Sequence, residues 1–268
     1  MKADFEFKDK YNFNDLVEII KILRAPGGCP WDAEQTHTSI RENFLEETYE
    51  ALEAIDTGNK ELLKEELGDV LLQVVLHADI SRTDGDFDID DVADGISKKL
   101  IIRHPHVFGD VTVGSTDDVL KNWDDIKRKT KNQKTQTDAM NAIPETYPAL
   151  MKAQKLQSKA KRAGFDWDSA DGAFQKLFEE ANELKEAVKS GDENAVQDEA
   201  GDLLFSAVNV VRLCGAEAET SLELASKKFR KRFSVVEKLA SERGIDMKTA
   251  DLSVLDALWD EAKATLKN

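Results

Sequence analysis

"FLEETYEALEAIDTGNKELLKEELGDVLLQVV", Phe44 to Val75, decides the fold of this chain. It carries two pairs of acids spaced by three residues, Glu47 with Glu50 and Glu66 with Asp69. Residues at that spacing share one face of a helix, with Cβ atoms about 5–6 Å apart. "DTGNK" reads as a turn that folds the second helix back against the first, so four carboxylates converge between antiparallel helices. Ala51 and Ala54 flank Glu47 and leave the face uncrowded. Beyond the acids, Val70 to Leu76 reads VLLQVVL, apolar nearly all round, the pattern of a helix inside a bundle. Carboxylates beside such a helix are poorly hydrated and repel one another, and an unpaired one costs on the order of several kcal/mol. A hard dication with oxygen ligands offsets that cost. Mg²⁺ suits a carboxylate cluster that leaves positions for water and phosphate.

A second stretch repeats the first. "LFEEANELKEAVKSGDENAVQDEAGDLLFSAV", Leu177 to Val208, places Glu180, Glu183, Glu199 and Asp202 at a constant offset of 133 residues (180 − 47, 183 − 50, 199 − 66, 202 − 69). Gly58 and Gly191 fall in register, as do Gly68 and Gly201, Leu71 and Leu204, and Val75 and Val208. A single EExxE is common on a solvated helix face, where Lys64 or Lys185 would pair with it. That reading predicts a polar second helix, which neither GDVLLQVV nor GDLLFSAV provides. The ungapped match marks a duplication. Tryptophans support it: Trp31 precedes Asp32, Trp167 precedes Asp168, and Trp123 and Trp259 each lie near the end of a half.

The 268 residues allow one or two domains at roughly 100–200 residues each. Gly and Pro are few, and β-branched and aromatic residues do not alternate over long stretches, so helices are favoured over sheet. The net charge of −16 gives no global attraction to nucleic acid or to an anionic membrane. Cys29 and Cys214 lie far apart and form neither a disulfide framework nor a metal knuckle. "MKADFEFKDK" lacks the apolar core of a signal peptide, and no apolar run approaches the roughly 20 residues that span a bilayer. A soluble cytoplasmic protein is expected.

Along the chain, Phe13, Leu16, Ile19, Ile20 and Leu23 recur at helical spacing, with Asn12 or Asn14 as cap. "RAPGGCPWD" reads as an ordered loop. Helices are expected from about Ser39 to Asp56, Lys60 to Ser81 and Asp88 to Arg103, then over Ser115 to Lys129 with Ser115 or Thr116 as cap. Lys127 to Pro148, polar and closed by two prolines, reads as a linker. Helices resume at about Ala149–Lys161, Gly172–Lys189, Asn194–Leu213, Ser221–Arg243 and Leu252–Leu266. The architecture expected is all-α: tandem duplicated helical bundles over 1–126 and 149–268, joined by 127–148.

These residues resemble a known family. "EETYE…EELGD" and "EEANE…DEAGD" are similar to the EExxE…ExxD signature of the all-α nucleoside triphosphate pyrophosphohydrolases. The order "GGCPWDAEQTH", the two acidic motifs, "RHPHVFGD" and "PALMKAQKLQSKAKRAGFDWD" resembles the MazG family in particular, over nearly the entire chain. The resemblance implies tandem MazG-like helical domains, usually paired as a homodimer. It also implies Mg²⁺-dependent hydrolysis of nucleoside triphosphates between the α and β phosphates, broad base specificity and a nucleotide-pool housecleaning role. A non-catalytic helical module that binds metal or nucleotide and regulates a partner is the alternative, and an enzyme of narrower substrate such as dUTP a lesser one.

The metal ligands expected are Glu180, Glu183, Glu199 and Asp202, with Glu47, Glu50, Glu66 and Asp69 as their counterparts. Glu179 is a candidate for orienting water beside Glu180. A triphosphate needs cations, and Lys227 to Arg232 reads KKFRKR. Lys228 and Arg232 share a helix face, Lys231 is near, and Lys176 lies one turn before Glu180. Trp259 is a candidate for stacking on a base or for core packing. The first half offers "KKLIIRHPHVF" instead, less basic and interrupted by proline; His104 and His106 there read as capping or packing rather than metal ligands. The second half is therefore the expected main catalytic site.

Overall fold

A computed structural model describes residues 5–131 and 133–266, so Met1 to Asp4 of the N-terminal reading, and Asn132 of the linker, lie outside the described residues. Thirteen helices and no strand occur among the described residues. The chain divides into two compact units at Lys127/Arg128.

In the first unit, α1 (Phe13–Arg24) opens with a capping box in which the Asn12 side chain accepts from the Asn14 and Asp15 amides. The short α2 (Pro30–Glu34) follows. Next come α3 (Arg41–Thr57), α4 (Lys60–Asp84), α5 (Ile89–Arg103), the short α6 (Pro105–Phe108) and α7 (Thr116–Thr130), within which the unit ends. Ser115 caps α7 by accepting from the Asp118 amide. The core joins Ile20 of α1 to Ile40 and to Val75, Leu76 and Ile80 of α4, with Leu16, Val17, Leu23, Leu72 and Ile89 packed round them.

A buried ion pair ties α1 to α4. Arg24 Nε donates to Asp79 Oδ2 at 3.0 Å, both side chains are almost fully enclosed, and Arg82 holds the other Asp79 oxygen at 2.8 Å. The Arg24 guanidinium also donates to the Asp32 carbonyl, which fixes the GCPWD segment. That segment is therefore not all loop. Pro30 takes the first helical position, where its missing N–H costs nothing, and α2 results.

In the second unit the helices are α8 (Gln136–Asn141), α9 (Ala149–Arg162), α10 (Ala170–Ser190), α11 (Glu193–Leu213), α12 (Ala218–Glu242) and α13 (Leu252–Thr265). α8 lies within the stretch read as a linker. Thr135 and Asp138 form a capping box, and Ala139 is buried, so six residues of the polar stretch are helical and pack on α9. α12 and α13 share a core of Val236, Ala240, Leu258 and Ala262, against which Trp259 packs.

The apolar run of α11 is buried on one side only. Val208 and Val210 are enclosed, while Leu204 is 60% and Phe205 44% exposed. The expectation of a helix enclosed all round holds for neither unit by itself, since Leu67 and Leu71 of α4 are exposed too. Each unit has too few helices to wrap these runs.

Candidate active site

Each acidic motif sits on a helical hairpin whose turn the sequence dictates. Gly58 ends α3 at φ +66° and Gly191 ends α10 at φ +73°, backbone values that favour glycine. Asn59 then caps α4 through the Leu62 amide, and Asp192 caps α11 through the Asn194 amide. Two-residue connections force the paired helices antiparallel, and their acids meet.

Glu47, Glu66 and Asp69 each offer a carboxylate oxygen, and the three lie within 4.8 Å of one another. Glu180, Glu199 and Asp202 form the same cluster in the second unit. Glu66 and Glu180 are buried; Glu47, Asp69 and Glu199 are half-buried. Opposite ligands of a six-coordinate Mg²⁺ lie about 4.2 Å apart, from bonds of about 2.1 Å. Small side-chain rotations therefore close either cluster on a hard dication, and the donors are all carboxylate oxygens. Glu50 and Glu183 stand outside these tightest groups. Glu50 acts on its neighbours by charge, and Glu183 hydrogen-bonds Glu180.

The electrostatics of the two clusters differ. In the first, burial and then the charges of Asp69, Glu50 and Glu46 push the Glu47 carboxyl above its ordinary range. Glu66 is raised in the same direction by burial, then by Glu50, Asp69, Glu65 and Glu47. In the second, Lys176 Nζ lies 2.7 Å from both Glu179 and Glu180. That contact holds Glu180 below the usual carboxylate range and raises the Lys176 ammonium. Glu183 is pushed up, first by its hydrogen bond with Glu180 and then by burial. Position 43, the counterpart of Lys176 in the first unit, is Asn. One cluster thus carries its own cation, and among the described residues no lysine is paired with the other.

The remaining candidates lie apart. Lys228 and Lys231 are exposed on α12. The Arg232 guanidinium lies over the Trp259 ring at 5.9 Å from its centroid, and Phe229 packs on the same ring at 5.1 Å. No described contact joins these residues to the acids. His104 Nδ1 is 2.6 Å from the Leu100 carbonyl, a contact at the end of α5, in line with capping. Sequence reasoning missed a cavity beside α11 whose walls include Gln157, Trp167 and Asn209. Trp167 drew notice only as a mark of the duplication, and the glutamine and asparagine carry no motif.

Comparison with known proteins places these features. The model of the MazG nucleotide pyrophosphohydrolase domain matches twice, over residues 35–108 and 169–237, and each match contains one acidic cluster. The nucleoside triphosphate pyrophosphohydrolase/pyrophosphatase MazG of Thermotoga maritima is 44% identical over 251 residues, covering 94% of this chain and 95% of that protein. The nucleoside triphosphate pyrophosphohydrolase of Escherichia coli K12 is 41% identical over 251 residues, 92% of this chain and 95% of that protein. YabN of Bacillus subtilis, an uncharacterized protein, is 46% identical over 256 residues, 95% of this chain but 52% of its own length. With both halves matched and likeness running the length of the chain, this protein belongs to the MazG nucleotide pyrophosphohydrolase family.

Proposed function

We propose that the chain hydrolyses nucleoside triphosphates at the α–β bond, releasing the monophosphate and pyrophosphate, with Mg²⁺ as cofactor, broad base tolerance and a cytoplasmic nucleotide-pool role. The observation that carries this reading is the meeting of Glu180, Glu199 and Asp202 within 4.8 Å on the family's matched segment, with Lys176 beside them. The relatives' names supply the reaction class.

Glu180, Glu183, Glu199 and Asp202 would hold the ion, which when bound supplies positive charge for the phosphate oxygens and a more acidic water. Lys176 is placed to exchange its carboxylate partners for a phosphate oxygen once the acids are otherwise neutralised. That exchange would free Glu179 to accept a hydrogen bond from water. Lys228 and Lys231 offer unshielded ammonium groups to the triphosphate, while Arg232 and Trp259 form a cation–aromatic surface for the nucleotide. Glu47, Glu50, Glu66 and Asp69 form the counterpart site without a lysine, and the second unit is the main catalytic one. The two MazG-like domains would span 1–126 and 149–268. A homodimer would cover the apolar faces that neither unit wraps, such as Leu67 and Leu71 on α4 and Leu204 and Phe205 on α11.

Turnover tests the reading. With Mg²⁺, each of ATP, GTP, CTP, UTP and the deoxynucleotides is expected to give pyrophosphate and a monophosphate. Release of orthophosphate, or no turnover with any of them, would overturn it.

A further inference from the structure

The turn at Gly58 fixes one end of the α3–α4 hairpin. At the far end, His37 and His77 meet. His37 is exposed and lies in the turn before α3, where the hydroxyls of Thr36 and Ser39 each accept from the other's amide. His77 is half-buried on α4 and packs on Phe44 of α3, with ring centres 5.6 Å apart.

The two Nδ1 atoms are 2.7 Å apart, the ring planes differ by 6° and the ring centres are 5.1 Å apart. The centres are thus farther apart than the nitrogens by two ring radii, so the rings meet edge to edge in nearly one plane rather than face to face. That is the geometry of a hydrogen bond in which one Nδ1 carries the proton and the other accepts it. His37 Nε2 lies 3.1 Å from Ser81 Oγ, and a hydroxyl can donate or accept, so it suits either tautomer.

Two other readings of the cluster fail. Ser81, His37 and His77 are joined in the order of a nucleophile and its base, but Ser81 is 1% exposed and closed to any substrate. A zinc-like ion held by both nitrogens would set them about 3.3 Å apart, from bonds of about 2.0–2.1 Å at a tetrahedral angle. A head-on separation of 2.7 Å leaves room for a proton alone. The pair also belongs to the first unit only. At the repeat's offset the counterparts of His77 and Ser81 are Val210, which is buried, and Cys214, so packing of the hairpin does not itself require an imidazole there.

We propose that His37 and His77 form a one-proton clasp that fastens the start of α3 to α4 and opens when both rings are charged. With both rings neutral, or with one charged, a single proton lies between the nitrogens and the bond holds. With both charged, two N–H groups point at each other and the cations repel. Burial, and then the charge of His37, hold the His77 imidazole below its ordinary range, which delays the second proton. The charged groups of the surrounding elements are engaged with one another: Arg24 of α1 and Arg82 of α4 hold Asp79, and Arg41 pairs with Glu42 at the start of α3. Asp32 and Glu34 of α2 precede the same turn, yet the charge that acts on His77 is that of His37. Asp69 of the acid cluster is eight residues from His77, about 12 Å of helix rise, beyond the screening length of about 8 Å at physiological ionic strength.

The test is histidine side-chain NMR together with hydrogen exchange, on the full chain in chelator. The two rings are expected to take up protons in two steps about 1 pH unit or more apart. Amide protection over residues 37–44, corrected for intrinsic exchange, should fall at least about fivefold across the second step, the scale for two unit charges about 4 Å apart in water. His37→Gln, at an exposed position, leaves a neutral polar side chain. In that variant His77 should take its proton in a single step, above the second step of the unaltered chain, and protection should not change across it. His77→Val, the second unit's residue, should likewise remove the pH dependence; if it fails to fold, His37→Gln decides the matter. Glu47 and Glu66 remain in every variant, so the difference between the proteins reports the histidine pair. Rings that titrate independently, or a His77 step that His37→Gln leaves in place, would overturn the clasp. So would protection that falls with pH equally in the unaltered chain and in His37→Gln.

Discussion

Lys176 should compete with the metal ion at the second acid cluster. Its ammonium lies 2.7 Å from the Glu180 oxygen, and Glu180 also belongs to the cluster that would hold the ion. A dication on that carboxylate and an ammonium still near it would be about 5 Å apart. In water-like surroundings, which fit a lysine 39% exposed, two such charges repel enough to change affinity about 10- to 20-fold. Lys176→Met is therefore expected to tighten Mg²⁺ binding by about that factor in the absence of nucleotide, measured by isothermal titration at low ionic strength. Salt should shrink the gain by screening. The same variant should raise KM for a triphosphate, since the phosphate partner is gone. The reciprocal change, Asn43→Lys, should weaken the first cluster's Mg²⁺ affinity by a similar factor. If Lys176→Met weakened Mg²⁺ binding, or if Asn43→Lys strengthened it, the reasoning would be wrong.

Other outcomes follow from the same coordinates. Glu47 and Glu66 are raised in the folded state by burial and by their acidic neighbours, so the unfolded chain releases those protons first as pH climbs. Metal-free stability of the first unit should therefore fall as pH rises past about 4.5 and level off once the raised values are passed. Urea melts in chelator would show this, and Mg²⁺ or Glu66→Gln should flatten the dependence. Arg24→Met leaves the enclosed Asp79 with Arg82 alone and should cost about 3 kcal/mol in a denaturant melt, the low end for breaking a buried pair. Gly172→Ala drives a methyl into the Trp167 ring and should cost about 1–3 kcal/mol, with a shift in tryptophan emission; an unchanged spectrum and melt would refute the seating of that ring.

Much of this arrangement was legible because local chemistry fixed it. The acids at three-residue spacing, the turn glycines and the capping residues act within one or two helical turns, so the hairpins and their clusters could be read directly. The repeat was legible because no insertion separates its parts. Three features were not. α8 hides in a polar stretch because its signal is a single capping box and one buried alanine. Asp79 and Arg212 occupy equivalent places, yet one is an acid bound by Arg24 and the other a base bound by Asp166; such an inversion leaves no motif to find. The Gln157 and Asn209 cavity rests on what fails to fill a space, and spacing along a chain carries no information about volume.

The central claim is that the second acid cluster performs the hydrolysis. Glu180→Gln and Glu47→Gln, prepared separately and checked for native melts, should be compared for pyrophosphate release from the same triphosphate at saturating Mg²⁺. The account predicts a loss of about 100-fold or more for Glu180→Gln, the scale for removing one charge-stabilising group, and most activity retained in Glu47→Gln. Equal losses in both, or a Glu180→Gln chain that still turns over at the original rate, would contradict it.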